Sequence, residues 1–365
     1  YGLPSIKDFM KKFNGTDKSM PLATFTFVNT GATTIYDLCS NGSPMEIWQD
    51  PNNFDYIHAV FVTNPAGDPI FNNRRSKYYY STDKGATWNN NGDVPNVRSG
   101  FPTISGFSDG SALISNHSTD GGGTTRCQAY KDAFPTLGSF IRLDAPGNNG
   151  YIWPRVITTS SIIISNKFLM MASLNGQDTT RYNVCTNFNS TPGTWLGWTT
   201  VQSDVAETFA LGKGTDGRIG IAFKNNDTPL PGSYADVWFI ESTNYGTTFS
   251  APLKIFDANF GAGGDSLGML RGISIAYKGN NPAVVFETVK QTEAGSFFPA
   301  APAKIRFWST TLPGVDPNRS IVIADTNNVG YHPYIGVNDV MATLCRPNIG
   351  ASSDGAVLFV AFLVP

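Results

Sequence analysis

The sequence predicts an all-β fold built from repeated antiparallel units. Charged residues make up only 15% of the 365-residue chain, whereas glycine alone occurs 37 times, a balance that suits short strands joined by many turns. An apolar run, a turn and a strongly β-prone run recur together along the chain, which is the pattern of a hairpin. A further β-prone stretch follows most of these hairpins, so each repeat is larger than a hairpin alone.

The hairpins are recognised by their turns and by the runs that flank them. Three of the turns carry Asp-Gly, at 109–110, 216–217 and 354–355, a pair that tolerates the positive φ angles of a tight hairpin. In chain order the hairpins read IWQDPNNFDYIHAVFV, TISGFSDGSALIS, VITTSSIIISNKFLMMAS, TFALGKGTDGRIGIAF, ISIAYKGNNPAVVFE and YIGVNDVMATLCRPNIGASSDGAVLFVAF.

The additional β-prone stretches turn the hairpins into larger units. SKYYYSTD, TTRCQAYKD, TRYNVCTNF, YADVWFIES and AKIRFWSTT follow the first five hairpins, and a spacing of roughly 50 to 65 residues suits a four-stranded propeller blade. The sixth hairpin reaches the end of the chain, while ATFTFVN and TTIYDLC near its start remain unassigned. We therefore expect a six-bladed β-propeller of four-stranded antiparallel blades, in which residues 23–38 pair with residues 356–363 and close the ring.

This topology makes residues 1–20 an N-terminal extension and residues 21–365 a single β-propeller domain. The net charge of −2 gives no basic surface for nucleic acid, and no apolar run is long enough to predict membrane insertion. The four cysteines lack the spacing of a metal site. Cys39 and Cys345 both fall in the predicted closing blade, so a disulfide between them is one alternative and free thiols are the other.

A turn motif follows the third strand of the first unit. Ser81, Asp83, Gly85 and Trp88 fit the pattern Ser-x-Asp-x-Gly-x-Thr-Trp, which resembles the Asp-box of the sialidase and BNR-repeat superfamily of β-propellers. In that superfamily the box lies away from the catalytic face. We expect a structural turn, in which the Asp accepts backbone N–H groups, the Gly takes a positive φ and the Trp packs on the sheet.

A second copy of the motif occurs at the corresponding place of the fourth unit. STNYGTTF keeps Ser242 and Gly246 but has Asn244 in place of the Asp and Phe249 in place of the Trp. Recurrence at the same point of the repeat supports a structural role for both copies.

The beginnings of the inner strands supply the candidate functional site, because the blades of a propeller meet at its axis. Aligning PMEIW, RSGFP, WPRVI, AETFA, LRGIS and YHPYI brings polar residues to equivalent places. Arginine presents a planar fork of donors that matches a carboxylate or phosphate. The alternative is that the arginines pair with the two glutamates and only compensate buried charge. The aligned residues are Glu46, Arg98, Arg155, Glu207, Arg271 and His332.

The resemblance to sialidases implies more specific roles for part of this set. Sialidases hold the sugar carboxylate with three arginines and use a Tyr and Glu pair for nucleophilic attack, with an Asp as acid/base. The resemblance therefore implies Arg98, Arg155 and Arg271 as the clamp, Tyr331 as the nucleophile and Glu207 as its partner.

The chain also departs from the sialidase pattern. The early Arg-Ile-Pro tripeptide is absent, and the nearest early arginines, Arg74 and Arg75, fall in a loop before a third strand. The candidates for the acid/base are Asp50 and Asp109, of which Asp109 is better explained as part of a hairpin turn.

Aromatic residues offer a second route to carbohydrate binding, because aromatic faces stack on sugar rings. We expect Trp195 and Trp198 to pack within the third unit, while Trp153, beside the axial end, fits either packing or ligand binding. No cofactor or transition-metal site is expected, although Asp257 and Asp265 lie in loops that could bind calcium.

These observations lead to one functional expectation and two alternatives. We expect a secreted or cell-surface, non-catalytic module that binds a glycan or another extracellular partner, with Arg98, Arg155, Arg271, His332, Trp153 and Glu46 as ligand-binding residues. One alternative is an exo-acting glycoside hydrolase of the sialidase type, and the other is a structural scaffold of an extracellular assembly.

Overall fold

The structure, a computed structural model, is made of antiparallel sheets. It describes residues 27–34, 42–120, 122–159, 167–177, 179–189, 193–201, 208–225, 235–258, 265–292, 297–298, 303–312, 320–325, 342–352 and 354–364. All regular elements in this part of the chain are strands. A search of the same residues finds no helix with the length and apolar character needed to cross a membrane.

Six sheets follow one another along the chain, and within each the strands are arranged largely in sequence order. The first contains β1 (Ile47–Gln49), β2 (Ile57–Thr63), β3 (Arg75–Ser81) and β4 (Asn89–Asp93). The second contains β5 (Ser99–Gly106), β6 (Ala112–Ser118), β7 (Arg126–Asp132) and β8 (Phe140–Leu143). The third contains β9 (Tyr151–Thr158), β10 (Phe168–Leu174), β11 (Thr180–Asn187), β12 (Thr194–Trp195) and β13 (Thr199–Val201).

The remaining sheets continue this arrangement. The fourth contains β14 (Phe209–Lys213), β15 (Ile219–Asn225), β16 (Asp236–Ser242) and β17 (Leu253–Phe256). The fifth contains β18 (Asp265–Lys278), β19 (Asn281–Thr292), β20 (Phe297–Phe298), β21 (Lys304–Ser309) and β22 (Ile321–Asp325). The sixth, as far as the structure describes it, is the hairpin of β23 (Cys345–Ala351) and β24 (Leu358–Leu363).

The hydrophobic core is divided into layers between consecutive sheets. Val60 and Tyr78 of the first sheet pack with Ile114 of the second, and further clusters join the second to the third, the third to the fourth, the fourth to the fifth and the fifth to the sixth. Apolar faces therefore meet between consecutive sheets, and their burial drives the stacking of one sheet on the next. The described sheets thus have the serial stacking of a β-propeller.

The predicted closure of the ring lies mostly outside the described residues. Within 27–34 the structure has one isolated bridge, a parallel one between Thr34 and Asn64 of the first sheet, and no pairing with β24. A direct contact between the two ends of the series comes instead from Ser43, just before β1, whose hydroxyl donates to the carbonyl of Pro347 in β23. Cys39 lies outside the described residues, so its pairing with the buried Cys345 stays a prediction.

The inner strand of the last sheet differs from the prediction. The sequence alignment used YHPYI, from Tyr331, but the strand that pairs with β24 is β23, with Ala351 opposite Leu358. Arg346 precedes Pro347 near the start of this strand, whereas Tyr331 and His332 lie outside the described residues. The residue of the sixth sheet that corresponds to the other inner-strand positions is therefore Arg346.

The turn after β3 is held by side chains of the Asp-box pattern. The Ser81 hydroxyl donates to Asp83 Oδ1 at 2.8 Å and accepts the Gly85 N–H at 2.8 Å, while Asp83 accepts the Thr87 hydroxyl at 2.7 Å and the Thr87 N–H at 2.8 Å. Gly85 has φ +85°, and Trp88 Nε1 donates to its carbonyl at 3.1 Å. The Thr87 hydroxyl, with the Thr87 amide and Ser81, holds the pKa of Asp83 at about 2.

The turn after β16 has the same bonds with asparagine in place of aspartate. Asn244 Oδ1 accepts the Ser242 hydroxyl and the Thr248 N–H, both at 2.9 Å, and its Nδ2 donates to the Thr248 hydroxyl at 2.8 Å. Gly246 has φ +81°, and the Phe249 ring packs edge-on against Tyr182 of the third sheet at 4.9 Å. The acceptor oxygen and the turn geometry, rather than the charge, are what the two copies share.

Asp83→Ala is expected to lower the midpoint of thermal unfolding by a few degrees, because the Thr87 N–H and hydroxyl lose their acceptor. Asp83→Asn is the matched control and should remain close to the wild type, since Asn244 makes the equivalent bonds. Differential scanning calorimetry of the three proteins measures the effect. Equal losses in both variants would show that the negative charge, not the acceptor geometry, stabilises the turn.

Candidate functional site

The upper end of the molecule is the end at which the first strand of each sheet begins and the second strand ends. Four first strands carry a break in register near this end: β5, β9, β18 and β23. In three of them a large residue before a proline has a positive φ, namely Phe101 (+53°), Trp153 (+53°) and Arg346 (+52°). This conformation is strained for a residue with a side chain, at about 1–3 kcal/mol each, and such strain clusters at functional sites.

Buried acceptors hold the backbone of these bulges. Glu287, in β19, is 1% exposed; its Oε1 accepts the Arg271 N–H at 3.0 Å and its Oε2 accepts the Arg346 N–H of the next sheet at 2.6 Å. Burial raises the pKa of Glu287, against the opposing effect of these amides. Gly272 is required beside it, because a β-carbon there would lie 2.5 Å from Glu287 Oε2.

His117 has the corresponding role between the second and third sheets. It lies in β6, opposite Gly100, and its Nδ1 accepts the Trp153 N–H at 3.1 Å. Burial and the nearby Arg74 and Arg98 lower the pKa of His117 to about 3, so the ring is neutral at physiological pH. Since Nδ1 accepts a backbone N–H, the proton of the neutral ring is on Nε2, which makes Nε2 a donor and not a base.

The aromatic–arginine cluster, Arg74, Phe101, His117 and Trp153, surrounds this ring. The Arg74 guanidinium lies 5.2 Å from the centre of the Phe101 ring and donates from Nε to the Ser99 carbonyl at 3.0 Å. Its NH2 lies 3.5 Å from His117 Nε2. The Phe101 ring centre is 5.0 Å from that of His117 and 6.2 Å from that of Trp153.

Trp153 differs from its neighbours in the cluster because its indole donor is unused. The side chain is half-buried, and Nε1 is enclosed with no acceptor among the described residues. The donors of Arg74, His117 Nε2 and Trp153 Nε1 thus belong to one small region between the second and third sheets. Planar donors thus lie beside aromatic rings, a combination suited to the oxygen atoms and the apolar faces of a ligand, while Trp153 Nε1 itself is shielded from solvent.

Arg155 connects this region to the axis. It follows Trp153 by two residues, is 7% exposed and donates from NH1 to the Ser43 carbonyl at 2.8 Å. Its guanidinium also lies 5.6 Å from the centre of the Phe209 ring in the fourth sheet. Ser43 contacts Pro347 as well, so the segment before β1 links the third sheet with the sixth.

The other predicted ligand-binding residues are placed differently. Arg98 is exposed and donates from Nε to the Phe71 carbonyl at 3.0 Å, so it lies on the rim. Arg271 is half-buried beside Glu287, and the Glu46 carbonyl accepts the Val60 N–H at 2.9 Å. Glu207, Tyr331 and His332 lie outside the described residues, so their proposed roles stay predictions.

Two arginines of the upper end were missed by the sequence reasoning. Arg74 lies in the loop before β3, as predicted, but it is 5% exposed and central to the cluster. Gly100 is the signal that could have found it, because a β-carbon there would lie 2.7 Å from the Arg74 guanidinium carbon. Arg346 was missed because the sixth inner strand was misaligned; the shared X-Pro step would have identified it.

The two candidates for the acid/base residue are turn residues at the opposite end. Asp50 Oδ1 accepts the Asn52 N–H at 2.8 Å after β1, and Asp109 Oδ1 accepts the Ser111 N–H at 2.9 Å between β5 and β6. Asp109 is therefore a hairpin-turn residue, as expected from the sequence, and Asp50 likewise lies at the hairpin end, which does not support a role as the acid/base. Asp257 lies 3.8 Å from the Lys254 ammonium, and the described residues contain no group of three His, Cys, Asp or Glu that could hold a metal ion.

Trp195 and Trp198 pack as expected. The Trp198 ring stacks on Tyr151 at 4.1 Å and donates from Nε1 to the Pro146 carbonyl at 2.9 Å. The Trp195 ring lies edge-on to Phe168 at 5.2 Å. Both belong to the layer between the second and third sheets.

The comparisons with known proteins concern the fold. No protein-family model and no curated protein matches the chain. Among solved structures, a protein of unknown function from Dyadobacter fermentans is similar with a TM-score of 0.52, 13% identity and coverage of 92% of this chain and 94% of that one. An ulvan lyase, which is a polysaccharide lyase, is similar with a TM-score of 0.51, 9% identity and coverage of 86% and 77%.

A third similarity is weaker. The alpha-L-arabinanase of Penicillium chrysogenum has a TM-score of 0.44 and 12% identity, with coverage of 80% of this chain and 98% of that one. At these identities the likeness concerns the fold alone.

The buried histidines predict that stability falls below neutral pH. Burial lowers the pKa of His117 to about 3 and that of His58 to about 4, so the unfolded chain takes up protons below about pH 6.5 that the folded chain does not. Each histidine should then reduce the free energy of unfolding by up to about 1.4 kcal/mol per pH unit between about pH 6 and pH 4. Urea unfolding at several pH values measures this slope.

His117→Asn is the test variant, because asparagine keeps an acceptor for the Trp153 N–H and does not titrate. Between pH 6 and pH 4.5, the free energy of unfolding of this variant should change less steeply with pH than that of the wild type. The difference should correspond to the uptake of about one proton on unfolding. An unchanged slope would contradict a neutral, buried His117.

Proposed function

We propose that this protein is a non-catalytic module that binds an acidic glycan at the upper end of a closed, six-bladed β-propeller. The N-terminal strands complete the sixth blade, and the chain is related to the Asp-box propellers. Its place is outside the cell or at the cell surface. The observation that carries the proposal is the aromatic–arginine cluster with its unused Trp153 donor.

The charges of the upper end favour an anionic ligand. Arg74, Arg98, Arg155, Arg271 and Arg346 belong to this end. Its described carboxylates include Glu46, Asp236, which pairs with Lys254, and Glu287, which accepts backbone amides. Guanidinium groups bind carboxylates and sulfates through paired N–H donors. An exposed cation at the rim, such as Arg98, also attracts an anion from solution.

The aromatic residues favour a saccharide over a simple anion. Phe101 and Trp153 are half-buried, and their side chains are set by strained backbone at equivalent points of adjacent sheets. A sugar ring offers both C–H faces for aromatic stacking and hydroxyls for the indole donor. Fixed rings bind with a small loss of side-chain entropy.

The fold likeness is consistent with this ligand class. The ulvan lyase has also been solved bound to a GlcA(1-4)Rha3S saccharide, in which both units are acidic. For this chain we propose only the same class of ligand, an acidic saccharide.

The described residues favour binding over catalysis. A general base needs an available lone pair and a general acid needs a proton to give. His117 Nδ1 is occupied by the Trp153 amide, and both oxygens of Glu287 accept backbone amides. The alternative of a glycoside hydrolase depends on Glu207 and Tyr331, and a polysaccharide lyase would likewise need a base outside the cluster.

Two substitutions test the proposed site on an array of sialylated, uronate-containing, sulfated and neutral glycans. Trp153→Phe keeps an aromatic ring and should fold, because Phe101 adopts the same backbone conformation. The loss of one hydrogen bond should weaken glycan binding roughly two- to tenfold.

Arg98→Ala removes an exposed charge. It should weaken the binding of acidic glycans roughly two- to fivefold at low salt, with a smaller effect at high salt. Titration calorimetry gives the affinities of the hits.

Lys84→Ala is the matched control, since Lys84 is exposed in the turn after β3, where it pairs with Asp55. It should leave glycan binding unchanged. Turnover of a fluorogenic glycoside, or a rise in absorbance from unsaturated sugar, would overturn the non-catalytic proposal. Absence of both binding and turnover across the panel would favour the structural scaffold.

A further inference from the structure

The lower end of the molecule, where the first and second strands are joined by hairpin turns, contains a separate cavity. The lower cavity has a volume of about 630 Å³ and lies between the turns of the fourth, fifth and sixth sheets. A volume of this size is within the range of small-molecule sites. The side chains in its lining include those of Lys213, Thr215, Tyr277, Lys278, Ser352 and Asp354.

Lys213 is the central cation of this wall. Its ammonium donates to the Thr158 hydroxyl at 2.6 Å and lies 3.4 Å from the Gly106 carbonyl, so it reaches from the fourth sheet to the third and second. Both partners are neutral, and an ammonium has three N–H donors. Surrounding protein atoms lower the pKa of Lys213 to about 8, and Lys213 is an exposed residue that belongs to the lining of the cavity.

The other charges around the cavity do not neutralise Lys213. Asp354 Oδ1 accepts the Ala356 N–H at 2.9 Å within its own turn and interacts electrostatically with Lys278. Asp216 accepts from Asn280 at 3.3 Å in the adjoining turns.

Tyr277 is likewise engaged below the cavity. Its hydroxyl donates to Glu241 Oε1 at 2.9 Å, and Glu241 Oε2 pairs with Arg218 at 2.6 Å. Its ring is left as an aromatic part of the lining. The strands that approach Lys213 from the second and third sheets contribute the neutral Gly106 carbonyl and Thr158 hydroxyl.

We propose that the lower cavity binds a small anion of monosaccharide to disaccharide size, whose carboxylate or sulfate contacts Lys213. The anion supplies a counter-charge to this ammonium, whose partners among the described residues are neutral. Lys278 adds a second cation. The hydroxyls of Thr215 and Ser352 donate to Asn280 and Asp354, and each can still accept a hydrogen bond from a sugar hydroxyl. This site is separated from the upper end by the length of the strands, and it does not depend on the function proposed there.

The binding should depend on pH in a defined direction. Lys213 is mostly protonated at pH 7 and loses its proton above about pH 8, so anion affinity should fall between pH 7 and pH 9. A bound anion favours the charged amine and raises the pKa of Lys213. The other described charged groups beside the cavity are Asp354, Asp216 and Lys278; the pKa of Asp354 is lowered by the Ser352 hydroxyl and the Ala356 amide, and the change is assigned to Lys213.

Amine footprinting of the whole protein tests the proposal at the level of one residue. The protein is acetylated briefly with an N-hydroxysuccinimide ester at pH 7.5 in the presence of glucuronate, inorganic sulfate or glucose, and each lysine is quantified by mass spectrometry. At a ligand concentration ten times Kd, acetylation of Lys213 should fall about tenfold. Lys84, far from the cavity, is the internal control and should not change.

The three ligands distinguish the source of the anion. Protection by glucuronate alone supports a carboxylate ligand, protection by sulfate alone supports a sulfated one, and protection by both supports an anion site without that selectivity. Protection by glucose to the same extent as glucuronate would overturn the role of charge. No protection by any of the three ligands, at any concentration up to the limit set by their solubility, would overturn the lower site.

Two variants complete the test by calorimetry with the ligand that protects. Lys213→Met should abolish the binding heat, while Lys84→Met should retain it. Gly279→Asn adds a side chain to the cavity wall and leaves Lys213 in place. Gly279 has φ +60°, which asparagine tolerates, and no atom lies within 4 Å of a β-carbon there. The variant should weaken the binding of glucuronate more than the binding of the smaller sulfate. Trp153→Phe should leave Lys213 protection intact, and loss of protection in that variant would mean that the two sites are not separate.

Discussion

The hydrogen bonds from the inner-strand bulges to buried side chains are the constraint on which the upper end depends. A bulge removes a backbone N–H from the regular ladder, and a buried N–H without an acceptor is costly. Glu287 resolves this for two sheets at once, because its two oxygens accept the Arg271 and Arg346 amides. His117 does the same for Trp153 of the next sheet. The strained residues stay in place because these acceptors and the following prolines leave little alternative.

Because of this constraint, the residues that hold the backbone in place and the residues available to a ligand lie only a few positions apart. The most buried carboxylate and histidine of the upper end look like catalytic groups by residue type, but each is engaged with backbone amides of a neighbouring sheet. The side chains of the same bulges, Phe101, Trp153 and Arg346, are the ones that the bulges direct away from the ladder. Binding chemistry therefore lies in the bulged residues, and the fixed acceptors beneath them determine its geometry.

The upper and lower ends of the molecule also differ in the polar side chains that they carry. At the upper end, arginines are combined with aromatic rings and a neutral histidine, so the region offers planar donors and ring faces. At the lower end, short hairpin turns bring Lys213 close to the carbonyl of Gly106 and the hydroxyl of Thr158. The flexible side chain of Lys213 reaches the ends of strands in two neighbouring sheets, whereas the guanidinium of Arg74 is held against the Phe101 ring.

Local patterns in the sequence determined much of the repeated architecture. Apolar alternation and Asp-Gly turns identify the hairpins, since both act between residues close in the chain, and the Ser-x-Asp-x-Gly pattern identifies a turn whose bonds span four residues. The axial set could be predicted only in part. Arg155 was found because its strand was aligned correctly, whereas Arg346 was missed because the alignment started the sixth inner strand at Tyr331, while the strand that pairs with β24 begins at Cys345.

What only the tertiary structure decided is the set of contacts between distant segments. Ser43 bonds to Pro347, 304 residues away, and Arg74 reaches His117 across 43 residues. No periodicity or spacing carries such pairings, because they arise when separate sheets stack and their buried polar groups must find partners. By itself, the sequence determined an all-β chain of repeated hairpins with side-chain-stapled turns; the stacking of the sheets decided which arginines, aromatics and acceptors meet, because hydrogen bonds and burial act over distances in space and not along the chain.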